Sequence, residues 1–207
     1  MNQMLYNPFP FSADIQSFKQ LGDGVWVYKN FILEKDCDEI TKIAKTIPDN
    51  MWFERDWYKS TKKQINYLVP VHNKIKNILK KDFYLGENLS IVKFVKGQTW
   101  DLHKDNHDSI HLLRANLNIK RNEPTYPAEY TTHGVIFYFN DFDGAEINYP
   151  EINIKYKPEK GDMLVHRSDI SHEVFPLQSD IRYTHSNKIF IHIDVPLGVK
   201  WVLILQT

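Results

Sequence analysis

Cysteine is almost absent from this sequence, and long apolar runs are absent altogether. The single cysteine, Cys37, excludes an internal disulfide and any cysteine-based zinc cluster, and it suits a reducing compartment. The longest apolar stretches, such as residues 199–205, fall far short of the ~20 residues that a membrane helix needs. No apolar segment follows a basic N-terminus, so we expect no signal peptide. Together these absences predict a cytoplasmic protein without a membrane span.

An excess of charge of either sign is also lacking, since 26 basic side chains balance 26 acidic ones. A neutral chain has no strong electrostatic attraction to nucleic acid or to an anionic membrane, which argues against both partners. A local basic patch could still form from Lys62, Lys63, Lys74, Lys76, Lys80 and Lys81. We interpret the last four of these as a solvated helix face. Arginine is scarce, so each of the five arginines is conspicuous.

The sequence does contain enough apolar material for one folded domain over residues 1–207. An apolar share of 42% and an aromatic share of 14% can fill a sizeable core. Apolar residues at helical spacing predict two helices in the first part of the chain. For residues 1–88 we therefore predict a loosely structured arm at residues 1–22, a strand at Val25–Tyr28, and supporting helices at Glu34–Ile47 and Val69–Leu79.

The second part, residues 89–207, has the pattern of short strands separated by turn residues. We predict strands at residues 89–95, 133–140, 145–149, 153–156, 162–166, 173–175, 182–195 and 201–205. Strands at such spacing favour a sandwich or barrel. Helices followed by strands favour an α+β, mainly β chain whose N-terminal helices pack on the outside of the sheet. Residues 106–132 form a long predicted loop of a kind that is usually functional or mobile.

The most informative side chains for chemistry are His103 and Asp105, which are two residues apart. On an extended segment residues i and i+2 point the same way, so this imidazole and carboxylate converge and suit a divalent metal. Two histidines and one carboxylate, with the other positions open, form the facial triad of non-haem Fe(II) oxygenases. His172 precedes a strand-like segment and can supply the second histidine. Arg182, ten residues later, can bind a carboxylate through two hydrogen bonds.

The order His103-x-Asp105, His172, Arg182 resembles the Fe(II)/2-oxoglutarate-dependent dioxygenases, specifically their prolyl 4-hydroxylase-like branch. The resemblance covers most of the chain. Residues 27–44 are similar to the entry strand and first helix of that branch, residues 92–98 to the strand that leads to the metal, residues 137–146 to the core strand and hairpin, and residues 158–162 to the segment before the distal ligand.

The resemblance implies a double-stranded β-helix, which is a jelly-roll, cupin-like barrel. It implies Fe(II) held by His103, Asp105 and His172, and Arg182 paired with the distal carboxylate of 2-oxoglutarate. The implied reaction consumes O2, hydroxylates a C–H bond and releases succinate and CO2, with ascorbate as a supporting reductant. The implied substrate is a prolyl or other side chain of a protein or peptide.

The sequence departs from the pattern of this branch at several positions. Phe94 stands where a tyrosine commonly helps to bind the cosubstrate, so Tyr138 is our candidate substitute for that hydroxyl. Trp100 stands near the expected iron pocket, either as a substrate-pocket residue or as a packing aromatic. The usual Gly-Gly of the hairpin is Gly144-Ala145. His166 replaces a residue that is usually apolar or aromatic, and we interpret it as a supporting or structural residue.

Alternatives to these assignments stay open. His185 or His192 could be the distal ligand, and Lys188 could bind the cosubstrate in place of Arg182. His107 and His111 could share a helix face, but no partner set for zinc accompanies them. For function, the alternatives are a hydroxylase of a free amino acid or small metabolite, and a non-catalytic jelly-roll binding module. We find no sequence pattern that indicates the oligomeric state.

Overall fold

A computed structural model of the chain describes residues 9–12, 17–54, 59–81, 83–105 and 131–191, residues 190 and 191 by their backbone alone. Within these ranges two antiparallel sheets are accompanied by two helices, α1 (Glu34–Thr46) and α2 (Val69–Ile78). The large sheet has the order β1 (Phe18–Gly22), β2 (Val25–Tyr28), β11 (Met163–Arg167), β8 (Thr131–Tyr138), β13 (Ile181–Ile191), β6 (Val92–Val95), β4 (Lys59–Thr61) and β3 (Trp52–Glu54), and β5 (Phe83–Leu85) also pairs with β13. The small sheet has the order β10 (Ile154–Tyr156), β9 (Ile147–Tyr149), β12 (His172–Val174) and β7 (Trp100–His103).

The large sheet separates two apolar cores, because successive side chains of a strand point to opposite faces. On β2, Val25 and Val27 join the core that is shared with the small sheet, whereas Trp26 joins the core under the helices. On β11, Leu164 faces the small sheet and Met163 faces the helices. We call the face toward the small sheet the inner face, and the face toward the helices the outer face.

Helix α1 forms because its apolar residues follow the helical period and its first turn is acidic. Glu34 and Asp36 lie in that first turn, where negative charge is favourable to the helix dipole. Cys37, Ile40 and Ala44 are buried in the outer-face core. Full burial of a side chain such as Ile40 stabilises the fold by about 1.5–3 kcal/mol. The predicted helices at Glu34–Ile47 and Val69–Leu79 therefore agree with α1 and α2 to within one residue at each end.

The predicted loosely structured arm is wrong for its last part, because residues 18–22 form β1. Gly24, with a φ of +74°, reverses the chain so that β1 pairs with β2. Phe9 and Phe11 pack on Phe18 with ring centroids 4.7 and 4.9 Å away, respectively. This edge hairpin lacks the alternating apolar pattern that identifies a strand from sequence.

The described residues bear out the α+β, mainly β architecture with helices outside the sheet. The division at residue 88 stays a prediction, and β1 to β5, which precede it, all belong to the large sheet. Most of the predicted loop at residues 106–132 and the predicted strand at residues 201–205 lie outside the described residues. In the described part of the chain, neither helix is long and apolar enough to span a membrane.

Candidate metal centre

The structure brings His103, Asp105 and His172 together at one end of the small sheet. His103 ends β7, His172 begins β12, and these two residues are direct partners in the antiparallel pairing of the two strands. Asp105 follows His103 by two residues. One ligand atom from each of the three side chains lies within 4.8 Å of the other two. Two imidazoles and a carboxylate in one cluster form a donor set that suits Fe(II).

Backbone carbonyls orient the two imidazoles of this cluster. His103 Nδ1 lies 2.7 Å from the carbonyl oxygen of Asp101, and His172 Nδ1 lies 3.2 Å from that of Ile170. A carbonyl oxygen only accepts hydrogen bonds, so both Nδ1 atoms carry the proton when they donate to it. Each Nε2 atom is then left with the lone pair that a metal needs.

Burial and charge place the remaining groups in the protonation states that metal binding requires. Burial lowers the pKa of His172 to about 3, so its imidazole is neutral at pH 7. Burial alone would raise the pKa of Asp105, but the Lys188 ammonium and a hydrogen bond from His166 together hold that pKa well below its usual range. Asp105 is therefore an ionised carboxylate over the whole neutral range.

Arg182 lies on the inner face of β13 in an apolar setting. Its side chain is buried, and its guanidinium carbon lies 4.2 Å from the centre of the Phe94 ring and 5.4 Å from that of Phe142. Nη1 donates to the carbonyl oxygen of Ala145 at 3.3 Å, whereas the buried Nε has no hydrogen-bond partner among the described residues. A buried arginine with donors to spare suits a carboxylate ligand.

A row of stacked rings connects Arg182 with the metal-ligand cluster. Phe94, under the guanidinium, stacks on Trp100 with centroids 6.1 Å apart, and Trp100 stacks on His103 at 5.3 Å. Trp100 therefore contacts a predicted ligand directly, and its role in the substrate pocket stays a prediction. The arrangement places the predicted carboxylate anchor and the predicted metal ligands along one wall of the inner core.

Tyr138 is buried in this inner core, and its ring lies 6.0 Å from that of Phe142, the ring that Arg182 also approaches. Burial raises the pKa of the Tyr138 hydroxyl well above its usual value, while the positive charge of Arg182 lowers it. Burial in turn lowers the pKa of Arg182 to about 10, so the guanidinium remains charged at pH 7. The role of Tyr138 at the cosubstrate stays a prediction.

The alternative assignments have different places in the structure. His185 points to the outer face, where its Nε2 lies 2.8 Å from His72 Nε2, away from the cluster. Lys188 lies on the inner face and donates to the backbone oxygen of Asp105 at 2.9 Å. His107, His111 and His192 lie outside the described residues.

A second layer of polar residues surrounds Asp105, and among them only His166 was predicted from the sequence as a supporting or structural residue. His166 Nε2 lies 3.2 Å from Asp105 Oδ2, and the hydroxyl of Tyr149 lies 2.9 Å from His166 Nδ1. Tyr149 and His166 are both buried. The sequence contained only a weak indication of this contact with Asp105. His166 is a polar residue in a mostly apolar strand, and only the order of the strands shows which residues it faces.

The comparisons with known proteins identify a fold, but they find no matching sequence family. The sequence matches no protein-family model and no curated protein at a significant level. Solved structures do match, among them a viral collagen prolyl hydroxylase of Paramecium bursaria Chlorella virus-1 in complex with 2-oxoglutarate. That match has a TM-score of 0.55 at 16% identity and covers 83% of this chain and 98% of the viral one.

Two further matches come from other sources. A Trichoplax adhaerens prolyl hydroxylase in complex with a peptide fragment of the hypoxia inducible factor oxygen degradation domain has a TM-score of 0.55 at 14% identity, covering 81% of this chain and 84% of that one. HygX of Streptomyces hygroscopicus, with nickel and 2-oxoglutarate bound, has a TM-score of 0.58 at 8% identity, covering 82% and 84%. The chain thus has the jelly-roll fold of the 2-oxoglutarate oxygenases and prolyl hydroxylases, which confirms the predicted fold class.

Proposed function

We propose that this protein is an Fe(II)- and 2-oxoglutarate-dependent dioxygenase that hydroxylates a C–H bond on a prolyl or other side chain of a protein or peptide. The observation that carries the proposal is the convergence of His103, Asp105 and His172 within 4.8 Å, in the fold of known 2-oxoglutarate oxygenases. When bound, the iron and the cosubstrate supply the oxidising chemistry, in which O2 and 2-oxoglutarate are consumed and succinate, CO2 and a hydroxylated product are formed.

The residues of the chain prepare this centre in three ways. The carbonyls of Asp101 and Ile170 hold the His103 and His172 rings with Nε2 available for the metal. Arg182 supplies a charged fork for the distal carboxylate of 2-oxoglutarate, in an apolar setting that strengthens the ion pair. Tyr138 supplies a hydroxyl beside that anchor.

The peptide part of the proposal has separate support. One neighbour is a prolyl hydroxylase in complex with a peptide, and another is named a collagen prolyl hydroxylase. Within the described residues β7 is the outer strand of the small sheet, and it carries the predicted ligand His103. Asp101 and Leu102 are exposed beside that ligand, so an extended peptide could pair with this edge.

Turnover with a peptide library tests this proposal. The 207-residue chain is incubated with Fe(II), 2-oxoglutarate, ascorbate and proline-containing peptides in air, and succinate and peptide masses are measured. We expect succinate release and a mass gain of one oxygen atom, both lost in His172→Ala. Full turnover in His172→Ala would show that this residue is not a ligand of the centre. Hydroxylation of free amino acids but of no peptide would show that the substrate is a small metabolite.

A further inference from the structure

Three neighbouring strands of the large sheet carry His166, Gly134 and Lys188 side by side. In the antiparallel register His166 of β11 is paired with Gly134 of β8, and Gly134 is paired on its other side with Lys188 of β13. These residues share the inner face with Leu164, two residues before His166, and with Tyr138, four residues after Gly134. We name this row of three residues the carboxylate seat.

The carboxylate of Asp105 rests directly on the glycine of the carboxylate seat. A Cβ atom at position 134 would lie 2.3 Å from Asp105 Oδ2 and 2.5 Å from His166 Nε2, closer than real side chains approach. Glycine in the middle of a strand weakens the strand, by roughly 0.5–1 kcal/mol relative to alanine in regular structure. Here its lack of a side chain makes room for the contact between Asp105 and His166.

The two outer members of the carboxylate seat hold Asp105 from opposite sides. His166 Nε2 lies 3.2 Å from Oδ2, while Lys188 Nζ lies 3.7 Å from Oδ1 and donates to the backbone oxygen of Asp105 at 2.9 Å. An ionised carboxylate only accepts hydrogen bonds, so His166 must present Nε2–H to it. The carboxylate is thereby fixed in rotation as well as in position.

Tyr149 fixes the tautomer that this arrangement needs. With the proton on Nε2, His166 Nδ1 holds a lone pair, and the Tyr149 hydroxyl at 2.9 Å donates to it. Tyr149 is fully buried and His166 is 1% exposed, so water does not compete for the hydrogen bond between them. The direction of donation is then defined from Tyr149 through His166 to Asp105.

We propose that the carboxylate seat, together with Tyr149, is a positioning device that presents one oxygen of Asp105 to the metal and retains the other. His166 is a positioning residue and not a fourth ligand, because its Nε2–H is committed to Asp105 and its Nδ1 to Tyr149. The inference rests on the proposed function, since it assumes that Asp105 binds the metal. Residues that orient a ligand in this way typically contribute about 10–100-fold to metal affinity.

Titration with Mn(II), followed by electron paramagnetic resonance of the free ion, tests the proposal without turnover. We expect His166→Leu to bind Mn(II) about 10–100-fold more weakly than the unaltered chain. His166→Gln, which restores an N–H donor, should recover most of that loss. Tyr149→Phe keeps the ring and removes only the hydroxyl, so we expect a smaller loss of Mn(II) affinity in the same direction. If His166→Leu does not fold, Tyr149→Phe is the variant that tests the proposal.

His133→Leu is the matched control. His133 is the neighbour of Gly134 on β8, is fully buried, and faces the outer core rather than the metal cluster. Circular dichroism and thermal melts establish that each variant is folded. We expect His133→Leu to retain the Mn(II) affinity of the unaltered chain, so a general loss of sheet packing is distinguished from a loss of positioning.

The possible results separate the inference from the proposed function. If Asp105→Ala weakens Mn(II) binding and folded His166→Leu does not, the carboxylate seat is overturned and the metal centre stands. If His166→Leu and His133→Leu weaken binding equally, the role of His166 is structural and the inference fails. If Asp105→Ala binds Mn(II) as the unaltered chain does, both the inference and the proposed ligand set are overturned.

Discussion

The guanidinium carbon of Arg182 lies 4.2 Å above the Phe94 ring, so the predicted anchor for a dicarboxylate sits on an aromatic surface and out of water. A second ring, that of Phe142, lies 5.4 Å away. In such a low-dielectric setting an ion pair with a carboxylate is stronger than at the surface. The same rings hold the guanidinium plane in place before any ligand arrives.

Arg182→Lys should separate cosubstrate binding from metal binding. Lysine keeps the charge but loses the planar fork and its fit to the ring, so we expect 2-oxoglutarate to bind about 10–100-fold more weakly, in line with roughly 1.5–3 kcal/mol for a hydrogen bond to a charged group. Calorimetric titration with Mn(II) present measures this, and the Mn(II) affinity itself should not change.

Two nearby cations are the controls for Arg182. Lys157 lies 3.7 Å from the Phe142 ring centre, and Lys188 lies beside Asp105. Mn(II) is kept saturating for each variant, so that a weaker metal site in Lys188→Met does not enter the comparison. A loss of 2-oxoglutarate affinity in Lys157→Met or Lys188→Met that exceeds the loss in Arg182→Lys would then assign the anchor to that lysine.

Tyr138→Phe should weaken 2-oxoglutarate binding while leaving the core packing intact. The change removes one buried hydroxyl beside Arg182. A single neutral hydrogen bond contributes about 0.5–1.5 kcal/mol, which corresponds to a loss of about 2–12-fold in affinity. An unchanged affinity together with an altered melting temperature would assign Tyr138 to packing alone.

Ala145→Gly should stabilise the protein. Ala145 has a φ of +48°, which is in the left-handed region and costs a residue with a side chain roughly 1–2 kcal/mol. The greater freedom of glycine in the unfolded chain offsets roughly 0.5–1 kcal/mol of this gain. Thermal melts should therefore show an increase of up to a few degrees, at about 2–4 °C per kcal/mol for a chain of this size. Asn153→Gly is the matched comparison, because asparagine tolerates its φ of +52° better and should gain less. A lower melting temperature for Ala145→Gly would contradict the strain argument.

Acid should destabilise the protein through the buried His72–His185 pair. Burial lowers the pKa of His72 to about 4 and that of His185 to about 3, against 6.5 in the unfolded chain. Below pH 6.5 the unfolded chain therefore binds protons that the folded chain excludes, so stability falls as pH falls toward 4.

At pH 5 each such histidine costs about 2 kcal/mol, from 1.36 kcal/mol per pKa unit. Denaturant unfolding between pH 4 and 8 should show His72→Gln losing less stability toward acid than the unaltered chain. Above pH 7 both forms should have flat profiles. Parallel profiles of the two forms throughout this range would show that the pair is not responsible.

Much of the candidate site could be predicted because its information is local. His103 and Asp105 are two residues apart on one extended segment, and no tertiary information is needed to expect them on one side. The period of two also discriminates between candidates on β13, since Arg182 and His185 are three residues apart and face opposite sides of a regular strand. This alternation alone could have shown that His185 is not a metal ligand if Arg182 faces the metal site.

Apart from a supporting or structural role for His166, the surroundings of Asp105 could not be predicted, because they depend on the order of strands. His166, Gly134 and Lys188 lie far apart in sequence and meet only because β11, β8 and β13 are neighbours in a defined register. Register is set by packing across the whole sheet, and a shift of one residue would turn all three side chains to the other face. Strand β1 was missed for a local reason: its residues have no clear alternation of apolar and polar side chains.

Anaerobic titration with Fe(II) and 2-oxoglutarate tests the central claim most directly. Chelation of 2-oxoglutarate by iron at His103, Asp105 and His172 should produce a visible metal-to-ligand charge-transfer band that saturates at one equivalent of each. The band should be absent in His172→Ala and should require more 2-oxoglutarate in Arg182→Lys. A chain that produces no band, or a band of full intensity in His172→Ala, would contradict the account.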